Sequence, residues 1–96
     1  MTGFKAVTEH GTVYEFDGNR VKITSDKFGV SVFGVWIMKA VYHEDIPDGL
    51  TYAELHQYIR TLPEVDMAVE GASLYVAGKD EWRLSTIVTE VEEIKE

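Results

Sequence analysis

Two tight turns near the start of this chain constrain its fold more than any other feature. Phe4, Ala6 and Thr8 alternate with Lys5, Val7 and Glu9. Thr12, Tyr14 and Phe16 alternate with Val13, Glu15 and Asp17, and Val21 and Ile23 alternate with Lys22 and Thr24. Period-two alternation in β-branched and aromatic residues is a strand signal. Gly18 and Asn19 tolerate positive φ, so a two-residue loop there pairs Phe16 with Val21 and Tyr14 with Ile23 on one face. The opposite face gains the charge pairs Glu15–Lys22 and Asp17–Arg20. A three-residue loop, Glu9-His10-Gly11, with Gly11 left-handed, brings Phe4 and Ala6 opposite Phe16 and Tyr14. Residues 1–25 therefore read as two linked hairpins.

Phe28 to Tyr42 is denser in apolar residues than a half-solvated strand, and Gly34 reads as a bend dividing two strands. The loop His43-Glu44-Asp45-Ile46-Pro47-Asp48-Gly49 leads to a helix predicted over about residues 51–62. Thr51 and Glu54 form a T-x-x-E capping box, and Leu50 and Leu55 are placed for a hydrophobic staple. Tyr52, Leu55, Ile59 and Leu62 make one apolar stripe, flanked by His56 and Tyr58, and Pro63 stops the helix. Met67, Val69, Leu74 and Val76 suggest a hairpin around residues 70–73, and Gly78-Lys79-Asp80 a further turn. Between Trp82 and Val91, Leu84, Ile87, Val88, Val91 and Ile94 fit a helical stripe. Thr86, Ile87, Val88, Thr89 and Val91 are nevertheless β-branched, which favours a strand, followed by a frayed acidic tail at 92–96. The expected fold is α+β: mainly an antiparallel sheet of hairpins, with one central helix packed on one face.

The 96 residues suit a single domain, 1–96, too short for a core plus a deep substrate cleft. With 45% hydrophobic residues there is enough apolar surface to offset chain entropy. The absence of cysteine excludes disulfides and thiolate-ligated metals, and accords with a reducing cytoplasm. The opening residues carry no basic stretch followed by a long apolar run, and the run Val30–Tyr42 is too short for a bilayer. The expectation is a soluble cytoplasmic protein with no membrane association.

Charge is divided along the chain. Residues 1–43 carry four acids and five bases, a net of +1, whereas residues 44–96 carry thirteen acids and four bases, a net of −9. Such an acidic half repels nucleic acid and anionic lipid and favours a basic partner. His43, Glu44, Asp45 and Asp48 share one loop, but their spacing does not match the twelve-residue calcium loop. Acids preceding a helix N-terminus already gain from its dipole. His10, His43 and His56 have no nucleophile spaced for a triad, and the glycines form no phosphate cradle. The expectation is no catalytic residue, metal or cofactor. Tyr42 and Tyr58 beside Glu44, Asp45 and Asp48 combine aromatic anchors with charge and are the candidate partner contacts.

The stretch T-E-H-G-T-V-Y-E-F-D-G-N-R-V, Thr8 to Val21, resembles the opening hairpin of small uncharacterised accessory proteins of actinobacterial bacteriophages. That resemblance implies a short accessory protein in the cytoplasm of a bacterial host, with no enzymatic residues to carry over. The function expected is a non-enzymatic protein–protein interaction module that binds or inhibits a host protein with a basic surface. An acidic mimic of nucleic acid, a small ligand-binding domain or enzyme without a recognisable motif, and a homo-oligomer built through a sheet edge are the alternatives.

Overall fold

A computed structural model describes residues 2–95. The strands are β1 (Thr2–Thr8), β2 (Val13–Phe16), β3 (Arg20–Ser25), β4 (Gly29–Gly34), β5 (Ile37–Val41), β6 (Ser73–Ala77) and β7 (Trp82–Lys95). A 3-10 turn, His43–Asp45, and one helix, α1 (Tyr52–Arg60), lie between β5 and β6. The strands form one antiparallel sheet in the order β4-β3-β2-β1-β7-β6-β5. The architecture is therefore α+β, mostly sheet.

The opening hairpins have the register that their turns dictate. Phe16 opposes Val21, Tyr14 opposes Ile23, and Phe4 and Ala6 oppose Phe16 and Tyr14. Gly11 has φ +82°, as the three-residue loop requires. Asp17 plays a different part from the charge pair expected. Its carboxylate accepts the N–H groups of Asn19 (2.8 Å) and Arg20 (2.6 Å), closing the turn as an Asx motif.

β7 splices two sub-sheets. Its first half pairs with β6, from Ala77↔Trp82 to Ser73↔Ile87, and its second half pairs with β1, from Thr8↔Val88 to Thr2↔Lys95. The register shifts once against each partner, and such irregularities sharpen strand twist. The tail expected to fray is thus the end of this strand through Lys95, because β1 offers it a full row of partners; Glu96 lies outside the described residues.

The curl of the sheet follows from a short link. β4 and β5 stand at opposite ends of the strand order, yet only Val35 and Trp36 join them. Val35 donates its N–H to Asn19 O at the start of β3, and Trp36 donates its N–H to Ala77 O at the end of β6 (2.8 Å). Two adjacent residues reach both ends of the sheet only if it rolls into a half-barrel. Gly34 does mark the bend between the strands.

Rolling builds the main core on the concave side from Phe4, Ala6, Tyr14, Val21, Ile23, Met38, Leu74, Val76 and Val88, with Ala68 closing it from the loop after α1. Full burial of a large apolar side chain stabilises by about 1.5–3 kcal/mol, so this cluster dominates the fold. The helix contributes less than expected. Ile59 is its one buried residue, in a small cluster with Val41 and Tyr75. Tyr52, placed in the helix stripe by spacing, is exposed. Residues 63–69 make no hairpin strand. They run along the outer edge of β5, where Val65 donates its N–H to Met38 O and Glu64 bridges to Lys39. No helix among the described residues is long and apolar enough to cross a membrane.

Candidate partner-binding site

Of the five residues singled out by charge and aromaticity, Tyr42, Glu44, Asp45 and Asp48 lie between the end of β5 and α1, and Tyr58 lies within α1. The 3-10 turn forms because Asp45 N–H reaches Tyr42 O (3.0 Å) and Ile46 N–H reaches His43 O (3.2 Å). Pro47 stiffens the exit, and Gly49 (φ +76°) supplies the left-handed step into the helix. Thr51 then caps α1: its hydroxyl accepts Glu54 N–H (3.2 Å), and the Glu54 carboxylate accepts Thr51 N–H (3.0 Å). These bonds hold the Glu54 carboxyl below its ordinary value, so this acid serves the helix rather than a partner.

The turn is tied down twice. Tyr58 donates its hydroxyl to the Asp45 carbonyl (2.9 Å), and His43 Nε2 lies 2.6 Å from Ser73 Oγ on β6. Tyr58 is therefore brought to Asp45, but as a structural tie and half-buried. Tyr42, Glu44, Asp45 and Asp48 are all exposed around it. No lysine or arginine occurs from Ala40 to Ile59, so nothing local neutralises them. Among the described residues no three His, Asp or Glu side chains converge as cation ligands. The remaining acids do not extend this patch into one lattice. Glu90 and Glu92 oppose Val7 and Lys5 on the outer face of β1 instead.

Two features escaped sequence reasoning. The first is a concave cavity of about 670 Å3 between the rolled halves of the sheet, lined by Tyr14, Ser25, Lys27, Ser31, Arg83 and Ser85 among others. Chain length gave no hint of this concavity, because curl opens space without thickening the core. The Tyr14 ring is buried, while its hydroxyl opens on the cavity and makes no hydrogen bond among the described residues. Burial pushes that phenol up to about 12, with the nearby Arg83 charge pulling the other way. Inward alternation of Tyr14 was readable; the facing wall from Arg83 to Thr86 was not.

The second feature is an aromatic group over the outer face of β6 and β7. His56 stands edge-on to Trp82 (5.0 Å between ring centres) and to Tyr75 (5.8 Å), and Tyr52 tilts against Trp82 (5.6 Å). The Tyr75 hydroxyl lies 3.2 Å from His56 Nε2. His56 thus occupies the packing stripe that spacing had assigned to Tyr52.

No protein-family model matches this chain, and no curated protein or solved structure matches it.

Proposed function

We propose that this chain is a non-enzymatic protein–protein interaction module whose turn from Tyr42 to Asp48 engages a basic surface. The observation that carries the reading is the Tyr58–Asp45 hydrogen bond, which holds an exposed, locally uncompensated acidic turn in one geometry. A fixed turn loses little chain entropy on docking, and complementary charge accelerates encounter. In this reading α1 lies across the outer face of β5 and β6 through Ile59 and serves as the base of the turn. The resemblance of the opening hairpin supports a viral accessory protein whose partner, bound or inhibited, is a protein of the bacterial host cytoplasm.

The test is a quantitative comparison of baits in bacterial lysate. Glu44→Lys combined with Asp45→Lys and Asp48→Lys should lose a partner that the parent chain and the Lys5→Glu, Lys22→Glu control both retain. Equal capture by all three sinks the proposal.

The concave cavity favours a second reading, a small-ligand-binding domain. Its volume falls within the usual range for ligand sites, and the Tyr14 hydroxyl near Arg83, with Lys27 elsewhere in the lining next to Asp26, suits an organic anion. A screen of small carboxylates and phosphates by thermal shift decides it. A ligand that raises the melting temperature of the parent chain but not of Tyr14→Phe supports this reading; no shift removes it.

A further inference from the structure

We infer that the free edge of β4 pairs antiparallel with β4 of a second copy of this chain, about a two-fold axis at Ser31. The inference goes beyond the acidic-turn reading and rests on other residues.

The phase of the β3–β4 ladder fixes which backbone groups are free. Val35 donates its N–H to Asn19 O, and the register continues through Arg20↔Gly34, Val21↔Phe33 and Lys22↔Val32. Antiparallel residues alternate between bonding one neighbour and facing away from it. The N–H and C=O groups of Val30, Val32 and Gly34 therefore point off the sheet. Gly78 packs against the Gly34 carbonyl, which leaves the edge at Val30 and Val32 with no partner among the described residues. The opposite edge, β5, is covered by Glu64 and Val65.

Open edges in monomeric proteins carry lysine, proline or a bulge that blocks pairing. This one carries none. From Phe28 to Met38 there is no charged residue and no proline. Phe28, Val30 and Val32 are 81%, 59% and 55% exposed.

The sequence of the edge identifies its occupant. Phe28-Gly29-Val30-Ser31-Val32-Phe33-Gly34 is self-complementary about Ser31. Reversed against itself, Val30 faces Val32 and Gly29 faces Phe33, so β-branched residues meet each other and the large ring meets no side chain. Antiparallel pairing joins residues of the same face, and an axis on a residue satisfies that rule for every pair. About four new main-chain hydrogen bonds form, all from groups now unpaired. A net charge of −8 opposes self-association elsewhere, but the charged residues on and next to this ladder are Arg20, Lys22 and the adjacent pair Asp26–Lys27.

Mass by light scattering and a cysteine cross-link test the pairing together. The parent chain should approach twice 10.9 kDa as its concentration rises. Val32→Pro removes an N–H that points off the edge and leaves the β3 ladder intact, so it should return the mass to one chain. If that variant melts early, Val30→Lys with Val32→Lys sets lysines opposite each other and should give the same result. Ser31→Cys places two cysteines at the axis with Cβ atoms about 4.5–5.5 Å apart. Because the chain has no cysteine of its own, oxidation should yield a covalent dimer from Ser31→Cys and none from Thr24→Cys. A single-chain mass at every concentration overturns the inference. So does a dimer that Ser31→Cys fails to trap, or that survives both edge variants.

Discussion

Gly78 approaches the Gly34 carbonyl so closely that a β-carbon on it would overlap the oxygen. This contact presses the β6–β7 turn against the end of β4 and closes one end of the half-barrel. Only glycine permits it, since the neighbour that must yield is backbone.

Gly78→Ala is therefore expected to destabilise by about 1–3 kcal/mol, the usual cost of forcing atoms into a packed site. Gly34→Ala is the control. A β-carbon there meets nothing within 4 Å and the backbone is not left-handed, so stability should stay level or rise slightly. Urea unfolding of the two variants checks the pair. Equal effects would mean that the ends of the sheet do not meet.

The cap of α1 and the Tyr58 tie of the acidic turn can be cut separately. Thr51→Ala removes the cap of α1 and should cost about 1 kcal/mol. Tyr58→Phe removes the bond to the Asp45 carbonyl, again about 1 kcal/mol. Only the second should also speed amide exchange at Asp45 and Ile46, because it frees the turn rather than the helix. Unchanged exchange in Tyr58→Phe would show that the turn is held by other means.

Acid should weaken the fold through two identified carboxylates. Asp17 is held below 3.8 chiefly by the Arg20 and Asn19 N–H groups, and Glu54 below 4.5 by Thr51. A depressed carboxyl contributes stability above its unfolded value and loses it as the pH falls through the folded one. Melting temperature should thus decline as the pH drops below about 4.5, toward the lowered values. Asp17→Asn and Glu54→Gln should each flatten part of that decline. Parallel curves for parent and variants would refute the assignment.

The parts of the fold legible in the sequence are those in which local chemistry decides geometry. Gly18-Asn19 set one register, Gly11 set another, and Thr51 with Glu54 marked a helix start. β7 was ambiguous for a physical reason. Its register shifts bring Val88 and Val91, three residues apart, to the same core face, so part of the stripe Leu84, Ile87, Val88, Val91 and Ile94 imitates a helix within a strand. Gly34 divided the apolar run of 28–42 into two strands, but apolar density alone did not reveal that Val30 and Val32 stand open to solvent. Charge and aromatic content were enough to find the acidic turn. They could not reveal the cavity, because its walls meet only when the sheet rolls.

Tyr14 offers a spectroscopic reading of that roll. Its ring is buried between β2 and the facing strand, and its phenol is pushed up to about 12 by loss of solvent. A group whose folded pKa is raised holds its full contribution to stability below the unfolded value of 10.0 and loses it as the pH climbs toward 12. Alkaline titration followed by tyrosinate absorbance should show one phenol, Tyr14, ionising last, after the exposed tyrosines and after Tyr75, which burial also raises, or only as the chain unfolds. Tyr14→Phe should delete that late step and move alkaline unfolding to higher pH. At neutral pH it should cost little, because no hydrogen bond within the described residues is lost. If the late step persists in Tyr14→Phe, the slow phenol is another tyrosine; if it is missing from the parent chain, the concave face is wetter than a rolled sheet allows.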